Sequence, residues 1–327
     1  MKSPLALLVQ SLAALLIPGK LFWPYFAGAA VLIIGLAKTN RTELQHAHGI
    51  DRAAAFGPLF FATPMAVFGA DHFVFTETVA AIMPSWIPGH LFWVYFVGVA
   101  LIAASLSIVT KKYSVLAATL LSAMLFLFVL LLHVPVVAVN PGNRFEVTVM
   151  LRDLCFSGGA LACALTRADQ WPKRMLSTTT TLVRYAVALP AVVFGLEHFS
   201  HPEFVPVVPL KQLLPSWIPG HMFLAYVTGT VLVLCGASMT VPWKARMTAT
   251  WLGIFVFVMV LLVYLPITVA NISDIGTGLN YLADTLAFSG SALLLAGLLP
   301  SGDQSAVPVA SRTESGRCVN LPQSDVT

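Results

Sequence analysis

Apolar residues occur along this chain in long runs, separated by short polar stretches. Runs of the length a bilayer demands, about 20 residues at 1.5 Å rise each, cover residues 21–37, 54–75, 91–109, 115–139, 147–165, 182–199, 222–241, 249–270 and 279–299. The pattern predicts an all-α, polytopic transmembrane bundle of nine spans. The apolar segment 5–17 is shorter. It fits a tenth span, an interfacial segment or the core of a signal peptide. No small-x-small cleavage site follows it, so it is read as retained. Past Pro300 the chain turns polar and serine-rich, and residues 301–327 are expected to be disordered.

The loops predict orientation. Lys38 and Arg41, then Lys111 and Lys112, then Arg167, Lys173 and Arg174, then Lys244 and Arg246 fall in every second connection, and Arg312 and Arg317 lie in the tail. The connections between hold only Arg144 and Lys211. Cytoplasmic loops carry the lysine and arginine excess, so the C-terminus is expected in the cytoplasm. Nine spans would place residues before Leu21 outside; a tenth would bring Met1 and Lys2 inside. Composition agrees, with 58% hydrophobic and 10% charged residues, against about 25% charged in a soluble domain. The net charge of +4 sits in short loops and so reflects topology; no nucleic-acid partner is implied. Cys155, Cys163 and Cys235 lie in apolar runs and Cys318 in the tail, with no Cys-x-x-Cys pair. Neither a disulfide framework nor a thiolate metal site follows.

One stretch occurs twice. Pro84-Ser85-Trp86-Ile87-Pro88-Gly89-His90 returns letter for letter at Pro215 to His221, and Phe92, Tyr95 and Gly98 answer to Phe223, Tyr226 and Gly229. Upstream, Phe68-Gly69-Ala70-Asp71-His72-Phe73 pairs with Phe194-Gly195-Leu196-Glu197-His198-Phe199. Downstream, Val134-Pro135 with Asn140 pairs with Leu265-Pro266 with Asn271, and Asp153 before Phe156-Ser157-Gly158 pairs with Asp284 before Phe288-Ser289-Gly290. The repeat spans four helices. Four is an even number, so the two units should insert in the same direction about an axis along the membrane normal. A broken third copy, Lys20-Leu21-Phe22-Trp23 with Tyr25 and Gly28, mirrors His90-Leu91-Phe92-Trp93 with Tyr95 and Gly98. The expected organisation is a partial repeat and cytoplasmic loop over 1–50, a first unit over 51–170, a second over 171–300, and the tail.

These motifs resemble the DoxX family of small membrane proteins. They share a His-Phe pair ending the first helix, a Pro-Trp-x-Pro turn, a Tyr-x-x-Gly second helix and an acidic residue opening the fourth. The resemblance covers residues from about 54 to 299, twice over, whereas the family is usually a single four-helix unit. It implies a tandem four-helix fold and a link to membrane redox or quinone metabolism, since some relatives are subunits of thiosulfate:quinone oxidoreductases or accompany redox enzymes. It carries over no catalytic residue and assigns no cofactor.

Carboxylates inside apolar segments cost about 2.5–3.5 kcal/mol at a helix centre, so Asp71, Asp153, Glu197 and Asp284 are candidate site residues. All four are expected near the extracytoplasmic helix ends, where water and headgroups soften the cost. His72 and His198 follow acidic residues directly, and neighbours on a helix diverge by about 100°, so neither pair chelates a metal jointly. His90 and His221 open the next helices at the same face. His72 is expected to approach His90 near Asp153, and His198 to approach His221 near Glu197 or Asp284. A hydrogen-bonded polar cluster fits this spacing better than a metal site. Trp23, Trp86, Trp93 and Trp217 read as an interfacial aromatic belt. Arg184 is expected to snorkel. His133 and Arg152 have no counterpart, facing Tyr264 and Ala283 in the repeat.

Phosphate-binding loops, dinucleotide fingerprints and nucleophile elbows are all absent. Three functions remain: a DoxX-like membrane protein with an extracytoplasmic Asp/Glu-His site, tied to membrane redox or quinone metabolism; a small-solute or ion transporter, since parallel repeats are a transporter habit, although no span looks broken at mid-membrane; or a non-catalytic membrane partner of a redox enzyme.

Overall fold

The computed structural model describes residues 19–39, 49–167 and 172–300. The apolar segment 5–17, Arg41 and the polar tail with Arg312, Arg317 and Cys318 lie outside the described residues. Regular structure among the described residues is helical, apart from one isolated antiparallel bridge between Phe204 and Leu213. Eight helices are long and apolar enough to cross a membrane. The expected first span is helix α1, Phe22–Lys38, of 17 residues. At 1.5 Å per residue it reaches about 26 Å, short of a hydrocarbon core of about 30 Å.

The eight spans follow in order. Helix α2 is Gly57–Val74, and the short α3 is Thr76–Ala81. Helix α4 is His90–Thr110. Helix α5, Ser114–Phe128, continues through a π-helical turn, Val129–His133, into α6, Val134–Val139. Helix α7 is Arg144–Leu165, α8 is Lys173–Ser200 and α9 is His221–Met239. Helix α10, Pro242–Met259, passes through a second π-helical turn, Val260–Tyr264, into α11, Leu265–Ala270. A third such turn, Gly276–Asn280, leads into α12, Tyr281–Leu298. Two spans are therefore interrupted, contrary to the sequence expectation, and at matching places. Proline follows each interruption: Pro135 and Pro266 have no N–H to give, so the ladder resets around them.

The spans form a closed ring. Successive spans border one another from α2 to α12, α12 borders α2, and α7 and α12 meet across the middle. Closure depends on the other half: α2 packs far more extensively on α12 than on α7, and α8 more on α7 than on α12. Helix α1 lies outside, over α2 and α4.

Matching positions make matching contacts. A Cβ on Gly290 would meet Phe61 N of α2 at 2.5 Å; one on Gly158 would meet Ala186 Cβ of α8 at 2.8 Å. Ser157 Oγ donates to Ser122 O at 3.0 Å, and Ser289 Oγ to Gly253 O at 2.7 Å. Phe68 lies 6.4 Å from Phe156, and Phe194 lies 5.9 Å from Phe288. Gly159 and Ser291, which answer to each other in the two halves, touch where α7 crosses α12: a Cβ on Gly159 would sit 2.4 Å from Ser291 Oγ. Asn143 caps α7, its Oδ1 accepting from Glu146 N at 3.4 Å, and at the aligned place Asp274 Oδ1 accepts from Thr277 N at 3.1 Å ahead of α12. Bonds from Thr277, first from its hydroxyl, hold the Asp274 carboxyl below the usual range.

Backbone contact at Gly290 leaves no room for a side chain. Gly290→Val should lower stability by about 2 kcal/mol or more in thermal unfolding of the detergent-solubilised protein. Gly297→Ala, with nothing within 4 Å of the added Cβ, should leave the transition in place.

Candidate functional site

All eight sequence-derived site residues lie at one end of the ring, where α2, α8, α6 and α11 end and α4, α9, α7 and α12 begin. Gly89 and Gly220, at φ 69° and 72°, turn the repeated motif into α4 and α9. Left-handed backbone of this kind suits glycine. His90 Nε2–H then donates to Pro84 O at 3.2 Å, and His221 Nε2–H to Pro215 O at 3.0 Å. Both histidines close their own turns. Neither hydrogen-bonds to His72 or His198 among the described residues. Phe73 stacks on Tyr95 and Phe199 on Tyr226, with centroids 5.7 and 5.9 Å apart.

His72 Nδ1–H donates to Phe68 O at 2.7 Å. His198 is completely buried. Its Nδ1–H donates to Phe194 O at 2.5 Å, while Nε2 accepts Val207 N–H at 3.0 Å. Both ring nitrogens are used, so His198 is a structural pin. It holds Val207 at φ 75°, where a β-branched residue is strained, and Val208 N–H bonds back to Pro206 O at 3.1 Å in a γ-turn. The Tyr264 hydroxyl donates to Pro206 O, Arg144 donates to Pro209 O and Leu210 O, and Tyr281 Oη accepts from Gln212 N at 2.9 Å. The 201–214 connection is thereby pulled into the protein.

The carboxylates are buried, more deeply than an interfacial placement implies: Asp71, Asp153 and Asp284 expose 8%, 7% and 3% of their surface. Water therefore does not carry the cost; cations from α7 do. Arg152 reaches Asp153 Oδ1 at 2.9 Å and Asp284 Oδ1 at 3.1 Å, bridging the two halves. His133, projected from the π-helical turn, sits 3.1 Å from Asp153 Oδ2 and 3.9 Å from Glu146 Oε2. Arg144 lies 3.2 Å from Glu197 Oε2 and 4.0 Å over the Phe204 ring. Thr148 Oγ1 is 3.2 Å from both Glu197 oxygens.

Asp71 stands apart. It faces Asn280 within the field of Asp284, and its buried Oδ1 has no hydrogen-bond partner among the described residues, nor has Asn280 Oδ1. The positions aligned by the recurring sequence differ. Glu197 draws on Arg144 and Thr148 of α7. The same positions in the second half are Ile275 and Leu279, buried against Val67 and packed on Tyr25 and Phe68. Where Glu197 meets a guanidinium, Asp71 meets the neutral side chain of Asn280.

Among the described residues no group of three or more His, Cys, Asp or Glu is placed to hold a metal ion. Arg144, His133 and Glu146, which sequence reasoning left out of the site, belong to it. The available signal for Arg152 was an arginine beside an aspartate within an apolar run. Arg184 is buried over the Tyr185 ring at 5.5 Å and does not snorkel. Comparison with family models, with curated proteins and with solved structures finds no match to this chain.

Arg152 neutralises two buried carboxylates at once. Arg152→Gln should cost about 3 kcal/mol in chemical unfolding. Arg152→Gln with Asp284→Asn should recover part of that loss, because the stranded charge is then removed.

Proposed function

We propose that this chain is a DoxX-like integral membrane protein with a duplicated four-helix unit inserted twice in the same direction. In this reading the Asp71 carboxyl takes up and releases a proton at the extracytoplasmic face, in the service of membrane redox or quinone metabolism. The chain acts either alone or as the membrane partner of a redox enzyme. One observation carries the reading: Asp71 is buried without the arginine that its counterpart Glu197 has. A carboxylate without a cation is costly at bilayer depth, and a proton is the smallest group that removes the charge. Quinone reduction consumes protons and quinol oxidation releases them, so a carboxyl of this kind has a use beside such chemistry.

The duplication is supported by the seven-residue identity and by contacts that recur at matching positions, with Gly159 against Ser291 between α7 and α12. The basic loops lie at the end opposite the carboxylates, which supports a cytoplasmic C-terminus by the positive-inside rule. The motifs that resemble DoxX support the family. A second reading, proton-linked solute transport, is favoured by the paired helix interruptions at Val129–His133 and Val260–Tyr264, because transporters place sites at corresponding breaks of their repeats.

Infrared difference spectra of the purified protein in lipid should show a protonated-carboxyl band that Asp71→Asn removes and Glu197→Gln leaves. A wild-type spectrum without that band would sink the proton site. Membranes from a deletion strain should lose quinone-linked respiratory activity, restored by the wild type and not by Asp71→Asn. Solute-driven proton uptake into proteoliposomes, abolished by Asp153→Asn with Asp284→Asn, would decide for transport.

A further inference from the structure

The carboxyl without an arginine lies where a second kind of cation fits. Asp71 belongs to the last turn of α2. A helix C-terminus is the negative end of the dipole and favours positive charge. The basic side chain of that turn is His72, whose Nδ1–H donates to Phe68 O at 2.7 Å. Asn280 meets the Asp71 carboxyl from the close of the π-helical turn Gly276–Asn280, and π-helical turns recur at functional sites. Asp71 Oδ1 and Asn280 Oδ1 are both buried without a hydrogen-bond partner among the described residues. Two adjoining side chains thus each hold an oxygen with no donor. Tyr25 of α1 stands within the field of Asp71, but its hydroxyl donates to Ile272 O at 3.0 Å.

The surrounding charge is negative. Asp284 of α12 acts on Asp71, and Asp274 acts on Tyr25 beside it. Arg152 already bridges Asp153 and Asp284. His133 takes the other oxygen of Asp153, Arg144 is engaged with Glu197, and His90 of α4 bonds to its own turn. Glu77 of α3 is exposed. A water molecule would satisfy the two oxygens and leave the charge; a buried charge needs a counter-ion or a coordinated metal. Oxygen donors select hard cations over zinc or copper. Calcium takes 6–8 oxygens, several of them from carboxylates, and no group of three or more His, Cys, Asp or Glu is placed for it among the described residues. A monovalent ion remains, and in membrane proteins built from repeats, unwound backbone and helix C-terminal ends coordinate sodium. We propose that Asp71 and Asn280 form a sodium site, in which one sodium ion and one proton compete for the same carboxyl. The site rests on the exchangeable Asp71 of the reading above and gives it a second ion. Sodium binding to the neutral acid releases its proton, so one positive charge replaces another and the pocket stays neutral.

At alkaline pH the purified full-length protein in lipid should melt at a higher temperature in sodium chloride than in choline chloride of equal ionic strength, and the gain should saturate. Each pH unit below the Asp71 midpoint should raise the apparent sodium Kd about tenfold, one proton competing with one ion. Asp71→Asn should abolish the sodium effect, and Asn280→Ala should weaken sodium binding about tenfold. Should Asp71→Asn fold poorly, Asn280→Ala and the infrared spectrum of the wild type carry the test: sodium should remove the protonated-carboxyl band. A band that persists in saturating sodium would overturn the sodium site and leave the proton site standing. Saturable sodium binding without such a band at any pH would uphold the sodium site and sink the proton reading. Equal stabilisation by choline chloride, a response to ionic strength only, would overturn the proposal, as would unchanged sodium affinity in Asn280→Ala.

Discussion

Helix α7 supplies the positive charge on which this bundle depends. Four carboxylates meet at one end of the ring; two arginines, both on α7, pair with Glu197, Asp153 and Asp284, and Asp71 has neither. At bilayer depth no solvent makes up a shortfall. The paired carboxylates find their cations inside the protein, and those pairs join α7 to α8 and to α12. Arg152 spans from its own neighbour to Asp284 on the other half, and Arg144 spans from α7 to α8. The interface between the halves is thus held by ionic bridges where it is polar and by close small-residue contacts at Gly158, Gly159 and Gly290 where it is not.

A ring closed this way makes the two halves interdependent. The first helix of each leans on the fourth helix of the other. Helices α7 and α12 align in sequence but differ at the charged positions. Helix α7 carries Arg144, Thr148 and Arg152; α12 carries Ile275, Leu279 and Ala283 at the same places. One half-site is neutralised and roofed by the pinned 201–214 connection. The other keeps a buried acid under α1, beside Tyr25 and Asn280. The outer helix packs Tyr25 beside this unpaired carboxyl's neighbours, Ile275 and Leu279.

Much of the fold was legible from apolar run length, because a lipid-facing helix must be apolar whatever it packs against. The starts of α7, α8 and α10 were read too late for the same reason: Arg144, the Ser177 to Thr181 stretch and Lys244 are polar turns that helices accept once their ends pass beyond the hydrocarbon. The π-helical turns left no mark in hydropathy, since a change of hydrogen-bond register does not alter composition. At the site, the sequence marked the carboxylates and histidines as a group. It misjudged the histidines, because a side chain that bonds to its own turn and one that faces a neighbour look alike in one dimension.

Residue identity by itself determined the all-helical character, the apolar spans and the one-ended placement of the acidic residues, since these follow from solvation cost and from the repeat. Only the tertiary structure decided which acid meets which base. Arg152 and Asp284 lie 132 residues apart, and whether a guanidinium or a leucine stands opposite a buried carboxyl depends on how α7 and α12 pack against α8 and α2. That pairing is a property of three-dimensional contact, and no local pattern encodes it.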